Sequence, residues 1–317
     1  MRIPADYYMI TRDPSEAARL DQQHRLVLNC QGYYFHPAIS FDASSPTHVA
    51  DLGTGSAAFL LGLAQHVHPD SQLHGFDIEN TMFPPQSSLP ANIRLHTADI
   101  KKPFEARWHG YFDIVHIASI QGEMRRDEWA VALKNAVTLL KPGGWLQWAE
   151  SDFGVASRHA MRSAAPVGSA EASLCAVKEM RTETDQIERF SPFRPQILDR
   201  LTALLIDNAR VQDCIYGYLN LHTLMADPAV GGLESVNRDV FALDRYDDGG
   251  ECRRRSTAIF ATAISHMLQA REDAGFGDVS EVHSGGLAGL MHEIEKDLAG
   301  GAWFTFHMGV FYGRKKQ

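Results

Sequence analysis

Asp51-Leu-Gly53-Thr-Gly55 is the stretch of this chain whose residue types and spacing most plainly allow chemistry. An acid stands directly before a glycine turn. The compact apolar run Val49-Ala-Asp-Leu precedes the turn and Ala57-Ala-Phe-Leu-Leu-Gly-Leu-Ala follows it. Gly53 and Gly55 can take positive φ and let the backbone come close to a ligand. A helix opening at Ser56, behind such a turn, presents unpaired N–H groups to a carboxylate or a phosphate. The dinucleotide fingerprint Gly-x-Gly-x-x-Gly is excluded, because Ala58 stands where its third glycine belongs.

Further polar residues follow at strand ends. Gln72-Leu-His-Gly-Phe-Asp77 reads as a second strand ending in an acid, with Ile78 just beyond. Its distance from Asp51 fits one strand–helix–strand unit, and a carboxylate there can accept both hydroxyls of a ribose. Ile93-Arg-Leu-His-Thr-Ala-Asp99-Ile100 repeats the pattern. Asp99 could take an adenine amino group while the backbone near Ala98 and Ile100 reads the ring edge. Tyr111-Phe-Asp-Ile-Val-His116-Ile-Ala is a fourth strand, and its end faces the same rim together with Ser119 to Glu123. Each acid alone could serve as a helix N-cap. Asp51, Asp77, Asp99 and His116 at four successive strand ends are hard to explain by capping, and they point to one ligand.

The elements that must position these residues alternate in type. Residues 128–141 form an amphipathic pattern with Trp129, Leu133, Val137 and Leu140 on one side, stopped by Pro142-Gly143-Gly144. Residues 145–150 read as a fifth strand. Five strands alternating with helices predict an α/β fold with a doubly wound, mostly parallel sheet that binds ligands at the carboxyl ends of its strands. Upstream, residues 13–30 read as a helix. Asp13-Pro14 supplies an N-cap and a first-turn proline, and Glu16 sits where a capping box wants it. Residues 1–46 are thus expected to form a helical cap over a core of residues 47–153.

Across residues 48–153 the chain resembles class I S-adenosylmethionine-dependent methyltransferases. The resemblance rests on Asp51-x-Gly53-x-Gly55, Phe112-Asp-Ile-Val-His116 and Leu140-Lys-Pro-Gly-Gly-Trp-Leu-Gln-Trp-Ala-Glu150. More narrowly, Arg19-Leu-Asp-x-Gln-His24, His36-Pro-x-Ile39 and Pro90-Ala-Asn-Ile are similar to a fungal branch that typically methylates oxygen or nitrogen in secondary metabolites. Ala57 departs from the family's pattern, which often has a third glycine there. The resemblance implies a seven-stranded sheet with an antiparallel last strand, here residues 303–317. It implies S-adenosylmethionine as cofactor, with its amino-acid part facing Asp51. The cofactor-binding residues would be Asp51, Gly53, Gly55, Asp77, Ile78, Asp99, Ile100 and His116.

Residues 154–302 read as a helical substrate and lid region that also holds the sixth strand. Helices are expected over 192–209, 256–274 and 287–298. Two segments compete for the sixth strand, 209–216 and one starting at Gly275. Methyl transfer from a sulfonium is an in-line displacement, so acceptor, methyl and sulfur must be held in a row away from water. A hydroxyl acceptor gains from a base, and a neutral amine hardly needs one. Glu150, His159 and His222 are the catalytic candidates, with Asp152 and His266 behind them. Glu150 reads equally as a hydrogen-bond anchor. Tyr7, Tyr8 and Trp148 could face the cationic sulfur.

Bulk properties narrow the function classes. The 317 residues carry a formal charge of −9, which argues against a nucleic-acid partner. No apolar run is long enough to span a membrane. The four cysteines lack metal-type spacing, so no metal site is expected, and reduced thiols fit a cytoplasmic protein. The expected partner is a small-molecule acceptor, with homodimerisation left open. The alternative reading is a methyltransferase-like protein that binds S-adenosylmethionine without transferring its methyl group, as a pericyclase-like or regulatory protein.

Overall fold

Val49, Ala50, Asp51 and Leu52 are all buried in β1 (His48–Leu52), as a strand covered on both faces requires. The computed structural model describes residues 14–151, 216–243, 251–273, 284–299 and 307–317. Around β1 it assembles β2 (Gln72–Asp77), β3 (Ile93–Thr97), β4 (Phe112–Ala118), β5 (Leu140–Ser151), β6 (Glu234–Ala242) and β7 (His307–Arg314). They form one seven-stranded sheet in the order β3-β2-β1-β4-β5-β7-β6. The first five strands run parallel, and β7 lies antiparallel to β5. This is the class I methyltransferase topology that the sequence predicts. The order reverses between β1 and β4, where the register sets Asp51 beside His116. At such a switch point the connections leave in opposite directions and open a crevice above the strand ends.

The sixth strand is a correction. It is formed by Glu234–Ala242, and neither expected segment supplies it. Tyr216 instead opens helix α4 (Tyr216–Ala226), while 209–215 and 275–279 lie outside the described residues. Glu234-Ser-Val-Asn-Arg-Asp-Val-Phe-Ala is polar along its first half, with no buried residue before Val240. An edge strand of this kind has little apolar periodicity to read.

Two apolar layers sandwich the sheet. On one face, α3 (Glu128–Leu139) and α4 cover Leu52, Phe76, Phe112, Val115, Ile117, Leu146 and Trp148. Trp129 of α3 stacks on Trp148 at 5.2 Å. A Cβ on Gly217 would come within 2.1 Å of the Trp129 ring, so glycine is what lets α4 close on α3. On the other face, α2 (Ala58–Leu63) and residues 34–41 cover Val49, Leu73, Ile93, Ile114 and Trp145. Gln147, fully buried in β5, holds that segment like a missing strand partner. Its amide accepts from the His36 N–H at 2.7 Å and donates to the Tyr34 carbonyl at 2.9 Å.

The chain divides into two compact units. The sheet with α2, α3 and α4 belongs to the unit of residues 31–151, 212–240 and 308–317. In the other unit the described helices are α1 (Pro14–Gln31), α5 (Glu251–Asp273) and α6 (Gly286–Ala299). There Glu16 takes a bidentate bond from Arg19 at 2.6 and 2.8 Å and pairs with His266 of α5 at 2.7 Å. Among the described residues no helix is long and apolar enough to cross a membrane.

Candidate functional site

The glycine turn after β1 is built by backbone constraint. Gly53 and Gly55 take φ of +74° and +51°. The N–H groups of Gly53 and Thr54 both donate to the Phe76 carbonyl, at 2.8 and 3.1 Å, which ties the turn to β2. A Cβ on Gly53 would lie 2.5 Å from Cγ2 of Ile120, so this glycine is required by space as well as by φ. Ala57 also has positive φ, +63°, and caps a helix that starts at Ala58 rather than Ser56.

Asp51 is enclosed beneath this turn. One carboxylate oxygen meets His116 Nδ1 at 2.8 Å and the other accepts from Thr54 Oγ1 at 2.7 Å. The His116 ring lies flat under Phe59, with centroids 3.7 Å apart and planes 5° from parallel. Only 4% of Asp51 and 6% of His116 is exposed, so together they hold the turn from below. Sequence reasoning placed both residues at the site but missed their direct pairing. That pairing depends on the lateral register of β1 and β4, which only the structure shows.

The next two acids stand differently. Asp77 is half-buried and accepts from the Gly55 N–H at 2.8 Å, so the second strand end also braces the glycine turn. Its neighbour Ile78 is 45% exposed, a large apolar side chain left open on the rim. Asp99 accepts from the Lys101 N–H at 2.9 Å, and Lys102 Nζ lies 3.5 Å away. The Ala98 N–H donates to the Asp77 carbonyl at 2.7 Å, joining the ends of β2 and β3. Ile100 is half-buried and packs against the α3-side core.

The rim beyond β4 has another character. Ser119 leaves the strand at φ +57°, an uncommon backbone for a residue with a side chain. A one-turn 3-10 helix, Gln121–Glu123, follows. Glu150 is fully buried beside it. Its Oε1 accepts from Trp148 Nε1 at 2.8 Å and from the Ile120 N–H at 3.1 Å, and its Oε2 accepts from the Gln121 N–H at 3.3 Å. Burial pushes its pKa up to about 8, against the opposing pull of these three donors. The Gln121 amide donates to the carbonyl and to Oγ of Ser151, at 2.7 and 2.9 Å. Its Oε1 is buried and has no hydrogen-bond partner. Sequence reasoning passed over Gln121 because nothing in its local pattern marks it.

Among the described residues the catalytic candidates differ in exposure. His222 is exposed on α4, and Glu150 is sealed from solvent. His159, Asp152, Tyr7 and Tyr8 lie outside the described residues. Among the described residues no cluster of three or more metal-ligating side chains occurs.

Residues 49–144 match the family model of a methyltransferase domain. The chain is 29% identical over 143 residues to N-methyltransferase verN of Clonostachys rogersoniana, covering 45% of this chain and 50% of that one. It is 34% identical over 144 residues to N-methyltransferase tcpN of Claviceps purpurea, covering 45% and 51%. Methyltransferase grgD of a Penicillium species is 32% identical over 154 residues, covering 46% and 52%. The chain thus spans about half the length of the curated relatives it matches. Residues 49–144 thus match a methyltransferase domain, and the strand order around them is that of the class I methyltransferase fold.

Proposed function

We propose that this protein transfers a methyl group from S-adenosylmethionine to a nitrogen or oxygen of a small secondary metabolite, with nitrogen favoured. The observation that carries the reading is the glycine turn at the β1–β4 switch point, with the half-buried Asp77 carboxylate beside it. The residues fit this cofactor. Gly55, at positive φ, keeps the backbone bare where the amino-acid part would approach, and Gly53 makes room for Ile120 beside it. Asp77 offers a carboxylate to the ribose. Exposed Ile78 supplies an apolar face for the adenine, with Asp99 and Ile100 at the ring edge.

When bound, the cofactor supplies an activated methyl on a sulfonium. The chain's part is to orient and to exclude water. Asp51, His116 and Thr54 keep the glycine turn rigid from below. Gln121 Oε1 is buried without a partner, which costs about 1–3 kcal/mol, and we assign it to an N–H or O–H that the acceptor brings on binding. Nitrogen is favoured because, among the described candidates, neither carboxylate oxygen of Glu150 is open to act as a base and His222 is exposed. A neutral amine needs no strong base. That verN and tcpN are named N-methyltransferases supports the same choice.

Calorimetry with S-adenosylhomocysteine tests the cofactor. Labelled S-adenosylmethionine offered with panels of small amines and the matching alcohols tests the transfer. Label in the amines supports nitrogen, and label in the alcohols alone moves the assignment to oxygen. Tight cofactor binding with no labelled product across both panels would favour a binder that transfers nothing.

A further inference from the structure

We propose that Glu150 is a positioning residue, which clamps the turn after β4 onto the glycine turn after β1 and thereby shapes the amino-acid end of the cofactor site. The inference rests on the cofactor reading above and adds a residue that the cofactor does not touch.

The clamp can be followed atom by atom. Glu150 is fully buried, and its two oxygens receive three N–H donors. Two of these are the consecutive backbone groups of Ile120 and Gln121, directly after the strained Ser119. The Gln121 side chain is tied in turn to Ser151, the residue after Glu150, by two further bonds. The turn is therefore held from its backbone and from its side chain by the last two residues of β5. The third donor, Trp148 Nε1, belongs to a ring stacked on Trp129, so the carboxylate is anchored to the core under α3.

What the clamp presses on is the glycine turn. Ile120 reaches so close to Gly53 that no Cβ could stand between them. The position of Ile120 is set by its own backbone N–H, and that group is held by Glu150. Loosening the carboxylate therefore frees the side chain that roofs Gly53, while Asp77 at the end of β2 and Asp99 just after β3 keep their own bonds. A general base would behave otherwise, because replacing it slows transfer and leaves cofactor affinity intact.

The test uses the full chain and two probes by calorimetry. S-adenosylhomocysteine carries the amino-acid part, and 5′-methylthioadenosine keeps the adenosine without it. In Glu150→Gln one acceptor becomes an NH₂ facing a backbone N–H donor. Measured above pH 8, where the carboxylate is charged, its affinity for S-adenosylhomocysteine should fall about tenfold or more, the scale of one charge-assisted bond. Its affinity for 5′-methylthioadenosine should not change. Ile120→Ala buries no new polar group, and it should show the same split at smaller size even where the glutamine variant folds poorly. Equal weakening of both probes would mean general loosening and would overturn the clamp. Unchanged affinity for both would overturn it as well. A wild-type protein that binds neither probe would mark failure of the cofactor reading itself. One that binds both, with no split in the variants, marks failure of the clamp alone.

Discussion

Asp77 and Glu150 stand near the carboxyl ends of parallel strands on the same rim, and the fold treats them in opposite ways. Asp77 ends β2 half-buried beside an exposed isoleucine, with one oxygen on the Gly55 N–H at 2.8 Å and the other on the Glu79 N–H at 3.3 Å. Glu150 lies within β5, wholly enclosed, with both oxygens holding N–H groups of the protein. The first arrangement leaves a carboxylate partly open to solvent. The second turns a carboxylate into a bracket. A strand-end acid therefore takes its job from its surroundings, and the residue type alone does not assign it.

The sharpest way to break this comparison is to remove the open acid. Asp77→Ala should weaken S-adenosylhomocysteine binding by about two orders of magnitude, since each charge-assisted bond to the ribose is worth about 1.5–3 kcal/mol. The loss of the Gly55 partner adds to the effect. Calorimetry on the folded variant checks it. An unchanged dissociation constant would leave Asp77 only its bracing of the glycine turn, and the contrast would vanish.

The next effect sharpens the β5 side. Gln121→Leu should lower methyl-transfer turnover by about tenfold, the scale of one hydrogen bond to the acceptor, and leave S-adenosylhomocysteine affinity in place. A loss confined to cofactor affinity would move the empty Oε1 to the cofactor's side of the site.

These differences were only partly legible beforehand. The core was, because Val49-Ala-Asp-Leu, Phe112-Asp-Ile-Val-His and Trp145-Leu-Gln-Trp-Ala are buried parallel strands, whose apolar composition shows directly in the chain. Asp51, Asp77 and Asp99 were legible as strand ends. β6 was not, since a polar edge strand carries little periodicity. The pairing of Asp51 with His116 depends on lateral register, and a linear reading does not contain it. The role of Gln121 arises from contacts with Glu150 and Ser151, about 30 residues away in sequence.

A smaller effect comes from pH. Burial raises the Glu150 pKa to about 8 in the folded protein, above its ordinary 4.5. The folded chain then holds a proton that the unfolded chain has released between those values. Stability from this group is therefore full below about pH 4.5 and is lost as pH rises toward 8. Glu150→Gln removes that slope. Its melting temperature relative to wild type should improve from pH 5 to pH 8 and level off above. A constant difference would mean that the enclosed carboxylate does not titrate in this range. His74 slopes the other way, because burial and then His96 lower its pKa to about 4, so its neutral form stabilises above 6.5 and that contribution is lost as pH falls toward 4.

The smallest effect concerns the one position where the glycine turn departs from the family's pattern. Ala57 sits at φ +63°, fully buried, where glycine would be unstrained. Relieving the left-handed conformation should gain about 1–2 kcal/mol. Against this, glycine adds about 0.4–1 kcal/mol of unfolded-state freedom, and loss of the buried methyl costs about 0.8 kcal/mol. The terms nearly cancel, which explains why alanine is tolerated. Ala57→Gly should shift the melting temperature by no more than about 2 °C and leave S-adenosylhomocysteine affinity unchanged. Gly53 is the contrast within the same turn, because there a Cβ would run into Ile120. Positive φ alone is a cost the turn can carry, whereas the steric contact with the turn after β4 is not. A large loss of cofactor affinity in Ala57→Gly would show that the methyl itself shapes the site, and the clamp would then no longer be the main constraint on the glycine turn.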